Sequence, residues 1–196
     1  MTHRAGITRI VRTAAVLLLG ITAAHAVEFE RGEWRRVGAT FVCKADGLQG
    51  PSTSAVTPED MLKACQRMGP FVIGGDARSL AVLGAPHRTV PQDKGAKALA
   101  WFLGEPNQQP YFVATVLNER IVALQMTGPA KAYGFNHVNL GDSTQTLTQY
   151  FGAPFRVAKS ELPDTDVWHY PPWPFSFEVK GGRVASIRII DPAQWQ

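Results

Sequence analysis

His169 sits beside Trp168 in a strand-like stretch, with Asp164 and Asp166 just upstream. A carboxylate that orients an imidazole makes a general base, so this trio is the constellation in the chain best suited to catalysis. A base needs something to activate. No serine occupies a GxSxG elbow, and the two cysteines, read below as a disulfide, leave no thiolate. Gly74 and Gly75 are followed by neither a GxGxxG pattern nor a lysine-bearing loop, so they build no phosphate cradle. His87 and His137 are isolated, and together with His169 and the cysteines they show no ligand-like spacing. No metal site, no cofactor and no enzymatic activity are expected, and a small hydrolase using His169 is the alternative.

The other chemistry the chain could perform is recognition. The stretch WHYPPWPF, residues 168–175, concentrates Trp168, Tyr170, Trp173 and Phe175 among three prolines. Tryptophan and tyrosine are over-represented in interface hot spots because they bury large areas at small rotamer cost. Pro171, Pro172 and Pro174 would stiffen a loop presenting Trp173. Aromatic strand residues also fill cores, and Trp168, Tyr170 and Phe175 fit that role as well. Trp101, next to Phe102, is the counterpart earlier in the chain. These five aromatics are the candidate binding residues.

Residues 1–26 carry Arg4, Arg9 and Arg12, then the apolar run AAVLLLGITAA and AHA before Val27. That is the pattern of a secretory signal peptide, and the run is shorter than the roughly 20 residues a membrane span needs. Cleavage after Ala26 would leave no stable membrane insertion and place the protein in the periplasm or outside the cell. The leader removes three basic residues and no acidic one, which leaves 17 Lys and Arg against 16 Asp and Glu. Nucleic-acid binding calls for clustered basic residues; only Arg35 and Arg36 adjoin, so no nucleic-acid partner is expected. In an oxidising compartment the pair Cys43 and Cys65 reads as a disulfide, worth about 3 kcal/mol on the chain-entropy account.

The elements that must hold these residues repeat. IGGDARSLAVLGAP at 73–86 and LGDSTQTLTQYFGAP at 140–154 share their punctuation. Each reads as a short helix with an aspartate cap, Asp76 or Asp142, the latter with Gln145 in a capping box. Leu80 and Leu83, or Leu147, Tyr150 and Phe151, form the apolar stripe. Gly84 and Gly152 end the helices, and Pro86 and Pro154 prevent their resumption. Each is followed by a single strand and then a hairpin: ALAWFL and YFVATVLNERIVALQM, then DVWHY and FSFEVKGGRVASIRII. A shift of 63 residues brings Arg120 onto Arg183 and Ile121 onto Val184. Internal repetition on this scale outweighs any single motif.

In the second hairpin a three-residue loop, Lys180 to Gly182, would put Phe175, Phe177 and Val179 on one face with Ala185 and Ile187. Ser176, Glu178, Ser186 and Arg188 would then point outward. Upstream, VTPEDMLKACQRMG reads as a helix capped by Thr57 and ended by Gly69, with Met61, Leu62, Cys65 and Met68 inward. The Gly/Ser/Pro-rich loop from Lys44 to Val56 separates it from the extended WRRVGATFVC. The organisation is thus a leader over 1–26, an extended segment and loop over 27–56, and helix-plus-sheet units over 57–130 and 131–196.

The two tandem units over residues 57–192, marked LG(D), LGAP, W.Y and F.F.V..GRV..I.I with the second unit the better match, resemble the secreted β-lactamase inhibitor proteins. They also resemble the single-unit module of the small outer-membrane assembly lipoproteins. The resemblance implies an α+β fold, two tandem units of helices packed on an antiparallel meander. It further implies binding of an envelope or extracellular protein without chemistry, with an envelope-assembly scaffold as the second reading.

Overall fold

The computed structural model describes residues 32–45, 64–128, 133–191 and 193. The leader over 1–26, most of the loop to Val56 and the first turns of the helix at Thr57 lie outside the described residues. Among the described residues, no helix is long and apolar enough to cross a membrane.

Strands dominate. β1 (Gly32–Val37) and β2 (Thr40–Ala45) form an antiparallel hairpin, and β3 (Arg67–Met68) and β4 (Phe71–Val72) a two-residue ladder. β5 (Arg88–Pro91), β6 (Lys97–Phe102), β7 (Tyr111–Leu117) and β8 (Arg120–Thr127) run as one meander. β9 (Arg156–Lys159), β10 (Thr165–His169), β11 (Phe175–Lys180) and β12 (Arg183–Ile190) run as a second. The last strands of the two meanders pair antiparallel, so all eight strands form one sheet in the order β5-β6-β7-β8-β12-β11-β10-β9.

This corrects the α+β expectation: the molecule is mostly β, with a single eight-stranded sheet in place of two helix-layered units. The helical signals were real but too short to make a layer, because nucleating a helix fixes three residues for one hydrogen bond. Residues Ala77–Leu83 form a 3-10 helix that buries only Leu80, and Thr144–Phe151 a two-turn α-helix that buries Leu147 and Phe151. The segment expected to be helical to Gly69 is helical at residues 64 and 65 and then turns into β3. Gly69, at φ +58°, serves the turn between β3 and β4 and not a helix end.

The repeated phrase has a mechanical cause: each helix-entry loop docks on the turn of the hairpin that follows it. Gly74 donates to the Ile121 carbonyl and Gly141 to the Val184 carbonyl, both at 2.7 Å. Ala77 donates to Glu119 at 2.9 Å and Thr144 to Gly182 at 3.0 Å. The Arg120 guanidinium reaches the Gly74 carbonyl, and that of Arg183 the Gly141 carbonyl. The equivalence pairs Asp76 with Ser143, one position beyond Asp142. Ser143 is accordingly the N-cap, accepting from the Thr146 amide at 3.1 Å, while Asp142 accepts from the Asn139 amide at 2.8 Å.

The register of β11 and β12 also differs from expectation. Lys180 pairs with Arg183 across a two-residue Gly181-Gly182 turn, both glycines at positive φ. A bulge between Glu178 and Val179 on the ladder then shifts the pairing by one, giving Phe177 opposite Ile187 and Phe175 opposite Ile189. A tight turn and a consistently apolar face could not both be met by straight pairing, and the extra residue, Ala185, reconciles them. The first hairpin does the same with Asn118 and Glu119 in the turn and Val122 as the extra residue.

The core lies on one side of the sheet. Phe112, Leu124, Met126, Phe175, Phe177 and Ile187 point into it. The N-terminal hairpin covers its second half with Trp34 and Phe41. Phe41 lies with its ring 5.0 Å from that of Trp173 and 5.4 Å from that of Phe175. The Cys43–Cys65 disulfide fastens β2 to the segment entering β3.

Candidate functional site

Three of the five aromatic candidates belong to this interior. Tyr170, Phe175 and Trp101 are 0%, 2% and 2% exposed, so their rings face the core and not a partner. Two of them hold equivalent places in the two halves. The Trp101 indole donates to the Gly84 carbonyl at 3.1 Å, and the Tyr170 hydroxyl to the Gly152 carbonyl at 3.0 Å. Each thus satisfies the glycine that closes its own helix, a carbonyl left without an intrahelical partner. Burial pushes the Tyr170 phenol up, which keeps it protonated as a donor. Trp168 and Trp173 remain half-buried. Trp168 lies beside Thr144, Gln145 and Thr148 of the α-helix, and Trp173 packs against Phe41 and Phe155.

The trio suited to catalysis is not assembled. Asp166 and Trp168 share the core-side face of β10, whereas Val167 and His169 point to the opposite face, as strand alternation requires. Asp166 is held by Lys159 at 2.7 Å, and Asp164 occupies the turn before β10 at φ +56°. The other histidines have structural partners. His87 accepts from the Phe102 amide at 3.2 Å, and His137 lies 3.0 Å from Glu33 and stacks on Tyr150.

What the structure does bring together lies on the outer face. Strand pairing aligns Arg156, His169, Ser176, Arg188, Gln125, Val113, Ala100 and Arg88 in one row across all eight strands. The next row holds Val167, Glu178, Ser186, Thr127, Tyr111 and Phe102. A cleft of about 460 Å³ opens over the two rows, closed at one side by Ser160, Glu161 and Leu162 of the β9–β10 connection. Its floor is tied by hydrogen bonds: Thr127 and Ser186 hydroxyls lie 3.0 Å apart, and the Gln125 amide donates to both at 3.2 Å. Ser160 donates to Glu178 at 2.6 Å and anchors the wall.

The electrostatics of this face are set by its arginines. Arg88, Arg156 and Arg188 are exposed, and none of them forms an ion pair among the described residues. Partial burial, with Arg156 and Arg188 adding repulsion, lowers the proton affinity of His169 below its ordinary 6.5. A lowered proton affinity favours the neutral imidazole, which can accept a hydrogen bond. Apart from His169, the residues of this site carried only a weak sequence signal, polar side chains at alternate positions of strands whose other positions are apolar. That pattern shows for Ser176, Glu178, Ser186 and Arg188; it is lost for Tyr111, because β7 is apolar on both faces, and for Arg156, because β9 is only four residues long.

No family model matches the chain, and no curated protein matches it. Similar solved structures include a cysteine-rich secretory protein from Staphylococcus aureus, with TM-score 0.43 and 16% identity over 62% of this chain and 44% of that one. An extracellular protein containing an SCP domain from Bacillus anthracis gives 0.40 and 14% over 61% and 44%. A DUF4309 family protein from Bacillus subtilis gives 0.40 and 18% over 58% and 76%. The chain spans under half the length of the first two. The resemblance to β-lactamase inhibitor proteins and assembly lipoproteins is corrected by these findings: the neighbours found are of other kinds, and the fold is a sheet without the expected helical layer. The markers that carried the resemblance are glycines, a proline and apolar strand positions, which any docked helix-and-hairpin unit needs. The closed Cys43–Cys65 disulfide is the chemistry of a chain that folds in an oxidising, secretory compartment.

Proposed function

We propose that the protein is a non-enzymatic binding module of the periplasm or extracellular space that engages an envelope or extracellular protein with the outer face of its sheet. The observation that carries this reading is the inequality of the two faces. On β8, β11 and β12 the core-side positions are apolar and buried, while the alternate positions carry Gln125, Ser176, Glu178 and Arg188 around a cleft. A sheet that merely completed a core would need no recess walled by a tied loop. The absence of an assembled base also favours binding over turnover: His169 has no carboxylate partner among the described residues, and general-base work needs one or a poised nucleophile.

The test is site-specific photo-crosslinking in the native envelope. A crosslinker at Ser176, in the middle of the outer face, should yield a discrete protein adduct. The same group at Gln149, exposed on the α-helix on the other side, should not. Equal labelling from both positions, or none from Ser176, would overturn the reading.

A further inference from the structure

Arginines on a sheet face are ordinarily answered by carboxylates across the strand, where opposite charges attract and like charges cost stability. The row running from Arg156 to Arg88 breaks that rule. It contains three arginines and one histidine, and no acidic residue at any of its eight positions. Nearby acids are engaged elsewhere: Glu178 accepts from Ser160 at 2.6 Å, and Asp166 pairs with Lys159. Arg88 lies over the Phe102 ring, 5.7 Å from its centroid, which holds it against the face. The chain as a whole is close to neutral once the leader is set aside, so this line of charge is a local arrangement and not a by-product of composition.

We propose that this row receives an acidic peptide segment of the partner, laid across the strands. The proposal rests on the outer-face binding reading and names the chemistry of what binds there. Ser176 and Gln125, lying between the arginines, supply polar side chains that can meet a peptide backbone. The strand spacing sets the match. Arg156 and Arg188 are three strands apart, about 14 Å, and Arg188 and Arg88 four strands apart, about 19 Å. An extended peptide advancing about 3.4 Å per residue would present carboxylates to them about four and then about six residues apart. A continuous polyanion is a poorer fit, because Val113 and Ala100 occupy the stretch between Arg188 and Arg88.

Binding also draws a proton onto His169. The charged groups on the face of that imidazole are Arg156 from β9, Arg188 from β12 and Glu178 from β11, with Glu161 in the wall of the cleft; Lys159 is turned to Asp166 on the other face. Burial lowers the proton affinity of the ring first and the two arginines add to it; a docked carboxylate offsets the arginines' share.

The experiment uses the full secreted chain and a fluorescein-labelled Ser/Gly peptide bearing glutamates at the two spacings above, with a glutamine version as control. Fluorescence anisotropy should show the glutamate peptide binding about tenfold more tightly, with the difference shrinking as salt is raised. Arg156→Gln and Arg188→Gln should each weaken it about two- to fivefold, the range of exposed ion pairs. Histidine NMR should show the His169 titration moving up on peptide addition. Equal binding of the two peptides, or indifference to Arg188→Gln in a variant whose thermal unfolding is unchanged, overturns the proposal. Arg188-dependent binding of anionic lipid vesicles without binding of the peptide overturns it in favour of a membrane surface. If Ser176 crosslinks a partner while the glutamate peptide fails to bind, the acidic-segment proposal falls and outer-face binding stands. If neither occurs, both fall.

Discussion

Replacing Phe41 by alanine tests whether the N-terminal hairpin is part of the folded core. Phe41 is 5% exposed and meets five other rings: Phe151, Phe155, Tyr170, Trp173 and Phe175, at centroid distances from 5.0 to 6.1 Å. Truncating a buried phenylalanine costs about 3–5 kcal/mol, the larger values belonging to sites that cannot collapse. Five aromatic neighbours pack from several directions, and rigid rings close a void poorly, so about 4 kcal/mol is expected. For a chain of this size that is a fall in melting temperature of about 8–16 °C. Phe41→Leu retains most of the volume and should cost about 1.5 kcal/mol. Urea titration followed by tryptophan fluorescence measures both, with the disulfide intact. A loss below about 1 kcal/mol for Phe41→Ala, with the denaturant dependence unchanged, would refute the reasoning. It would mean that β1 and β2 do not cover the sheet in solution.

Four further outcomes follow from the geometry. Reducing the disulfide, or replacing Cys43 and Cys65 together by serine, should lower stability by about 3 kcal/mol without changing the circular-dichroism spectrum, since the bridge closes a loop with a sequence separation of 22. Glu119→Gly should stabilise by about 0.5–1 kcal/mol in thermal melts, because Glu119 sits at φ +61° in a turn that glycine enters freely. Ser143→Ala should cost about 1 kcal/mol by removing the cap on the Thr146 amide, whereas Asp142→Ala should leave that cap intact. His169 has a folded-state proton affinity below its unfolded value, so the unfolded chain takes up the proton first. Stability should therefore fall as pH drops through 6.5, and His169→Gln should remove that part of the fall in melts taken across pH 5–8.

Much of the strand layout was legible because it rests on local chemistry. Apolar residues alternate through β11 and β12 and run nearly unbroken through β7 and β8, and Gly84, Gly152 and the prolines after them mark where helices stop. The repeat was legible for the same reason, since Gly74 and Gly141 dock on their hairpin turns through backbone groups that any copy must provide. Other features were not. The bulges at Val122 and Ala185 answer a conflict between turn and face that appears only when both strands are considered together. The N-cap moved from Asp142 to Ser143 because tertiary hydrogen bonds from the hairpin turn, and not local propensity, set where the helix begins. The fold class was misread because short amphipathic segments look alike whether they form a helical layer or a single turn at the margin of a sheet. The aromatic candidates mislead in a related way. Alternation places Tyr170, Phe175 and Trp101 on a face, but only the hairpin 32–45 and the helix-closing glycines decide that this face is sealed. The cationic row requires knowing that β8 and β12 are neighbours, a pairing between distant segments.

The outermost strands of the sheet are β5 and β9, and each is poorly suited to recruiting another chain edge to edge. β5 ends in Pro91, which has no amide hydrogen to offer, and begins with Arg88; β9 is only four residues long and carries Arg156 and Lys159 at its ends. Proline, charge and brevity are the means by which exposed margins avoid fibre-like stacking. A sheet whose flanks are guarded in this way resists zipping edge to edge onto copies of itself, so its two margins end the ladder instead of extending it.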